Sequence, residues 1–209
     1  TAIGNGQATL TATAGGLSAT ASATVQQAPT SLSIVSGNTQ TDTVGQLLVE
    51  PLVVRAEDQG GTAVSAVGIT FSVHQGDGSL SETSVTSGGD GAASTSWTLG
   101  TTSGTQNVTA LIEGSESATA NFSATATPGP ATAFNKESGD QQIGKNDRAL
   151  PEPVVAAVKD EFGNGIAGIP VTFAVTNGGG SISPTDSVTG ETGTAEGIWT
   201  MGVVGANSL

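Results

Sequence analysis

Cysteine and tyrosine are both absent from the 209 residues, and aromatic side chains of all kinds make up only 3%. Without thiols there is no disulfide framework, no thiolate metal site and no cysteine nucleophile. Basic residues are nearly as scarce, with Lys+Arg 5 against Asp+Glu 18 and a net charge of -13. Phosphate recognition needs clustered lysine and arginine, so nucleic acid is excluded as a partner. The same shortage argues against docking on anionic membranes. No apolar run approaches the roughly 18 residues of a spanning helix, so no direct membrane insertion is expected. No window repeats apolar residues at i, i+3, i+4 and i+7, and no helix is predicted. Signal-peptide and lipidation patterns are missing too. The chain begins at Thr1 and stops in mid-pattern at Leu209, which reads as an interior piece of a longer protein.

What remains is thin and repetitive. Thr, Ser, Ala, Val and Gly dominate in short alternating runs, with 31 Gly and 8 Pro. Thr and Val are β-branched and fit a pleated, half-buried surface better than a helix interior. The fold class is therefore all-β. A hydrophobic fraction of 35% supports two small cores of aliphatic side chains, each with one Phe and one Trp, rather than one large core. An acidic, lysine-poor surface is soluble and self-repelling, which suits a module that must remain extended beside copies of itself.

The most informative feature is self-similarity at a constant offset of 102 positions. Gly37 matches Gly139, Glu50-Pro51 matches Glu152-Pro153, and Asp58 matches Asp160. Phe71 falls opposite Phe173, Gly91 opposite Gly193, Trp97 opposite Trp199 and Gly100 opposite Gly202. The domains expected from this are 29–127, a complete module, and 128–209, a second module lacking its last two strands. Residues 1–28 read as the C-terminal hairpin of a preceding or incomplete module, with a Gly15-Gly16 turn. The junctions around Pro29 and Pro128-Gly129-Pro130 carry proline and are expected to be stiff.

Seven strands are predicted in the complete module, at about 30–35, 48–56, 68–74, 79–86, 92–99, 106–112 and 117–124. Period-2 alternation turns Leu52, Val54, Ala56, Ile69, Phe71 and Val73 inward. Trp97, Leu99, Val108, Ala110, Ile112, Ala118, Ala120 and Phe122 face the same way. Tandem immunoglobulin-like β-sandwiches of about seven antiparallel strands each fit this spacing. The expected structural core is Trp97 with Phe71 in one module and Trp199 with Phe173 in the other, since no disulfide joins the sheets. The residues Val158-Lys-Asp160-Glu-Phe-Gly163, Ile169-Pro-Val-Thr-Phe173 and Val67-Gly-Ile-Thr-Phe71 resemble bacterial Ig-like domains of the invasin/intimin type. The opening Gly4-Asn-Gly6-Gln-Ala-Thr-Leu-Thr-Ala-Thr-Ala resembles the end of a second bacterial Ig-like type. The resemblance implies tandem modules on an extracellular or cell surface, and it supplies no catalytic residues.

No catalytic or cofactor site emerges. His74 is the only histidine and is expected to face solvent, without the partners a triad or metal site needs. Asp58 and Asp160 end equivalent strands, where a carboxylate accepts turn N–H groups. Calcium is the sharper alternative, because Glu57-Asp58, Asp77, Asp90 and Asp160-Glu161 are turn acids with oxygen ligands. No Asp-x-Asp-x-Asp-Gly loop is present. Gly88-Gly89-Asp90-Gly91 and Gly178-Gly179-Gly180 lack the lysine and helix of a phosphate loop and read as hairpin turns. Asn107-Val-Thr109 and Asn121-Phe-Ser123 match the N-glycosylation pattern.

The expected function is a structural spacer or fibre segment that contacts neighbouring Ig-like domains. Two alternatives stay open. One is an adhesin-type module that contacts host protein or glycan. The other is a filament subunit, in which residues 1–28 of one copy complete the C-terminal module of the next.

Overall fold

The computed structural model describes residues 6–203, and all regular structure among them is strand. Gly4 and Asn5 of the opening pattern, and positions 204–209 of the expected 128–209 module, lie outside the described residues. The chain divides into two compact units, Thr1–Thr127 and Pro128–Leu209. The first opens with a hairpin of β1 (Gly6–Ala14) and β2 (Leu17–Val25). Gly15 and Gly16 both take positive φ. A two-residue turn of that kind matches the twist of the strands it joins. Among the described residues β1 and β2 pair only with each other.

Next come β3 (Ser31–Ser36), β4 (Gln40–Thr43), β5 (Leu52–Glu57), β6 (Gly68–Gln75) and β7 (Ser79–Leu80). Then follow β8 (Ser84–Thr86), β9 (Ala92–Thr95), β10 (Trp97–Thr98), β11 (Gly104–Ile112) and β12 (Thr119–Thr127). One sheet has the order β4-β12-β11-β6-β8, and the facing layer holds β3-β5-β9 and β10-β7. This is an immunoglobulin-like sandwich.

Inward residues alternate along β5, β11 and β12, with Leu52, Val54, Ala56, Val108, Ala110 and Phe122 all buried. Trp97 is 0% exposed and Phe71 and Phe122 are each 1%, so the three aromatic core side chains are enclosed. Val73 is only partly buried.

The predicted strand 79–86 is two strands, because the chain changes sheets between them. β7 pairs with β10 and β8 with β6. The step between is held by Ser81 N–H on Ser96 O at 2.9 Å and Glu82 N–H on Thr95 Oγ1 at 3.2 Å. The predicted strand 48–56 starts at Leu52, after Pro51, which cannot donate to a ladder. β4 was not predicted. Its four residues are Gln, Thr, Asp and Thr, with no apolar alternation to read.

The second unit contains β13 (Ala133–Ser138), β14 (Val154–Lys159), β15 (Pro170–Thr172), β16 (Gly180–Ser183), β17 (Asp186–Val188) and β18 (Thr194–Met201). Its sheets are β13-β14-β18-β16 and β15-β17. The 102-position repeat extends to backbone conformation. Positive φ recurs at Gly37 and Gly139, Thr39 and Gln141, Gly45 and Asp147, and Ala66 and Gly168. The same β-bulge recurs in the first strand, between Ile34 and Ser36 and between Lys136 and Ser138.

The second core is less enclosed than the first among the described residues. Phe173 and Trp199 are half-buried rather than enclosed. The fully buried cluster is small, consisting of Ala156, Val158, Val171 and Ala195. In the first unit Phe71 pairs across to Ala110 on β11. In the second, Phe173 packs against the edge of the small cluster, beside Ile166 and Ile169.

Candidate functional site

The strongest polar constellations sit where each module begins. Asp58 Oδ1 accepts the N–H groups of Gly60 and Thr62, both at 2.9 Å. Its Oδ2 accepts Gln27 Nε2 at 3.0 Å. Asp160 does the same 102 positions later. Its Oδ1 accepts Phe162 N–H and Asn164 N–H at 2.9 Å, and its Oδ2 accepts Gly129 N–H at 2.9 Å and Asn164 Nδ2 at 2.8 Å. Gln27 and Gly129 are themselves equivalent positions in the segments leading into β3 and β13. One uses its side chain and the other its backbone, so the carboxylate ties down the incoming chain in both modules.

Both carboxyls are held below the ordinary aspartate value of 3.8. For Asp58 the cause is chiefly the Thr62 N–H, followed by Gln27. Burial alone would raise Asp160, but the bonds from Asn164, Gly129 and Phe162 outweigh it. A depressed folded pKa gives stability that is full above the unfolded value and is lost as pH falls through the folded one. Unfolding of the second module measured across the acid range is therefore expected to show stability falling below about pH 4. In Asp160→Asn that slope flattens, and an unchanged slope would mean that Asp160 does not couple folding to protonation.

A second clamp joins the start of each module to its next strand. Gln40 Nε2 donates to Gly37 O and Glu50 O at 2.8 Å, while its Oε1 accepts Glu50 N–H at 2.9 Å. Gln142 repeats all three with Gly139 and Glu152 at 2.9–3.0 Å. Each glutamine thus acts as one rung of a ladder. A third device is a buried hydroxyl. Ser87 accepts Val67 N–H and donates to Val64 O, and Thr189 does likewise with Ile169 and Ile166. None of these glutamine or hydroxyl roles was read from the sequence, although Gln40 and Gln142, and Ser87 and Thr189, share the repeat offset that would have flagged them.

The other turn acids are also engaged locally. Asp77 accepts Thr101 N–H at 2.8 Å and Thr101 Oγ1 at 2.6 Å, and the Thr101 hydroxyl is the main cause that lowers its pKa. Asp90 accepts Ala92 N–H at 3.1 Å, and Glu57 pairs with Arg55. Among the described residues no three His, Cys, Asp or Glu side chains converge to hold a metal. His74 is exposed and is the bulged residue between Val73 and Gln75 against β11. Asn107 Nδ2 donates to Gln75 Oε1 and Asn121 Oδ1 accepts the Thr109 hydroxyl, both at 2.8 Å.

The remaining feature lies at the first module's ends. β4 and β12 run parallel, with Gln40 opposite Ala124 and Thr43 opposite Thr127. Thr39 N–H donates to Ser123 O and Val44 N–H to Thr127 O, both at 2.9 Å. Ser123 N–H adds a bond to Asn38 Oδ1 at 2.9 Å, and Thr127 Oγ1 donates to Asp42 O at 3.1 Å.

No family model and no curated protein matches the chain. Among solved structures it is similar to FdeC, an Escherichia coli adhesin, at 21% identity with a TM-score of 0.50. The match covers 95% of this chain and 66% of that one, so the chain spans about two thirds of the FdeC structure. The D0-D1 domain of intimin is similar at 20% identity, over 85% of this chain and 87% of that one, with a TM-score of 0.38. Domains 4-9 of the surface layer protein SbsC give 15% identity, 98% and 32% coverage, and a TM-score of 0.39. The likeness to FdeC is one of fold, tandem immunoglobulin-like sandwiches.

Proposed function

We propose that the chain is a tension-bearing segment of an extracellular bacterial surface fibre, built of Ig-like repeats of the invasin/intimin type and without catalytic function. On this reading 29–127 and 128–209 are successive modules, and 1–28 is the terminal hairpin of a module of the second type. The parallel pairing of β4 with β12 carries the proposal. Force that enters at the Gln40 end of β4 and leaves at the Thr127 end of β12 slides the two strands past each other. All rungs then share the load, whereas an antiparallel hairpin pulled at its open end breaks one rung at a time. The aspartate and glutamine clamps support the same reading, because they fasten the incoming segment to the module it enters.

The chain has no native cysteine, so attachment points can be placed at will. Ala28→Cys with Pro130→Cys loads the first module through its ends. Thr105→Cys with Pro130→Cys instead unzips β11 from β12, because Thr105 lies opposite Thr125. End-to-end pulling is expected to need at least about twofold more force, since forced unfolding follows the barrier of the loaded geometry. Equal forces would count against a mechanical role. An adhesive role is the second reading, favoured by the likeness to FdeC, itself an adhesin. A ligand that bound the chain alone in a host-protein or glycan screen would move the function there.

A further inference from the structure

Both modules are entered in the same way. β2 ends at Val25 and β12 at Thr127, positions that share the 102-position offset. The first backbone bond inside each module is equivalent too. Thr30 N–H donates to Glu57 O at 2.8 Å, and Thr132 N–H to Lys159 O at 2.9 Å. Between strand end and first bond lie residues 26–29 in one entrance and 128–131 in the other. Within each run the aspartate takes hold at the second residue, Gln27 or Gly129. A single residue, Gln26 or Pro128, is left between the preceding strand and the clamp.

The two carboxylates divide their oxygens in the same manner. Oδ1 closes the module's own turn, on the N–H groups of Gly60 and Thr62 in one and of Phe162 and Asn164 in the other. Oδ2 reaches back to the incoming chain. Only a carboxylate accepts on both sides, since the amide of asparagine would set an NH2 group against one set of donors. Each entrance has few other means of fastening. Pro128 and Pro130 lack an N–H, so Gly129 carries the one backbone donor of residues 128–130, and that donor goes to Asp160. Proline fixes φ on both sides of Gly129, and Pro29 does so beside Ala28. Asp160 is 3% exposed, so water competes little for its oxygens.

We propose that Asp58 and Asp160 are joint locks: each fixes the path of the chain entering its module, so that bending at the joint is confined to the single residue ahead of the clamp. With the lock open, the unheld run grows to residues 26–29 or 128–131. Every residue released adds accessible conformations, and the joint slackens while the modules stay folded. Each aspartate is thus a positioning residue for the joint as well as a turn acceptor. The proposal rests on the fibre reading only in treating 29–127 and 128–209 as successive modules. Its test applies no load, so a failed lock and a failed pulling experiment are told apart.

Amide NMR relaxation on the full chain reads the lock directly. In wild type the Gly129 amide is expected to be as ordered as the strand amides of β14. In Asp160→Asn the order parameters of Gly129 and Ala131 are expected to fall from about 0.85 to below about 0.6. The two modules should then tumble more independently of each other than in wild type. Gln27→Ala opens the first entrance without touching the turn, because Asp58 Oδ1 keeps Gly60 and Thr62. Order at residues 26–28 is expected to fall there while thermal unfolding of the first module stays unchanged. That variant decides the matter if Asp160→Asn loosens its own module. Equal order at Gly129 in wild type and Asp160→Asn would overturn the proposal. So would unchanged order at 26–28 in Gln27→Ala, or modules that tumble no more independently once the lock is open.

Discussion

Trp97→Ala is expected to cost the first module about 3–5 kcal/mol, the usual range for emptying an enclosed aromatic site. Trp199→Ala is expected to cost the second module less than half as much. The two indoles occupy the same place in the repeat, yet Trp97 is 0% exposed and Trp199 is half-buried. Trp97 lies on β10, its backbone paired with Leu80, and the β4-β12-β11-β6-β8 sheet closes over it. A small domain is stable by roughly 5–15 kcal/mol, so the loss takes a large share of the first module's margin. Urea unfolding followed by circular dichroism measures the difference, with the remaining tryptophan reporting on the other module. Equal losses at the two sites would show that the face over Trp199 is as well covered as that over Trp97.

The second large effect comes from backbone rather than side chain. Gly37 has φ +86, and a Cβ there would lie 2.2 Å from Pro51 O. Gly139 repeats the arrangement, with φ +84 and Pro153 O at 2.1 Å. The obstacle is main chain at the crossing from β3 to β4, so it cannot swing aside. Gly37→Ala is expected to destabilise the first module by about 3 kcal/mol or more, as left-handed strain and overlap add. Gly45 supplies the control. It too has positive φ, at +73, but nothing lies within 4 Å of a Cβ there, and the second module already carries Asp147 at φ 55. Gly45→Asp should therefore stay within about 1 kcal/mol of the parent. If thermal unfolding gave the two substitutions similar losses, the close approach to Pro51 would not be what demands glycine.

How far the sequence could be read follows from these cases. Alternation exposed the inner face because Leu52, Val54, Ala56, Val108, Ala110 and Ile112 are apolar in a polar background, and all are buried. Strand β4 escaped because a short strand held by a parallel neighbour needs no apolar pattern of its own. The switch between sheets at residues 81–83 escaped because Ser and Thr hydroxyls hold it, and such residues read as ordinary strand. Asp58 and Asp160 were legible as turn acceptors, whereas their hold on residues 27 and 129 was not. One partner there is a side-chain amide and the other a backbone N–H, so no residue type recurs. The repeat offset carries residue identity from Phe71 to Phe173 and from Trp97 to Trp199, but not the degree of enclosure, which depends on what lies opposite.

Amide hydrogen exchange tests most directly whether strand pairing on both edges is what encloses the core of the first module. Amides of 69–75 on β6, which β11 covers, should exchange only on global unfolding of the first module. Their counterparts at 171–177 should exchange orders of magnitude faster, as should the strands of the 6–25 hairpin. Protection at 171–177 equal to that at 69–75 would contradict the account, since 173–176 form no strand while β6 is paired with β11.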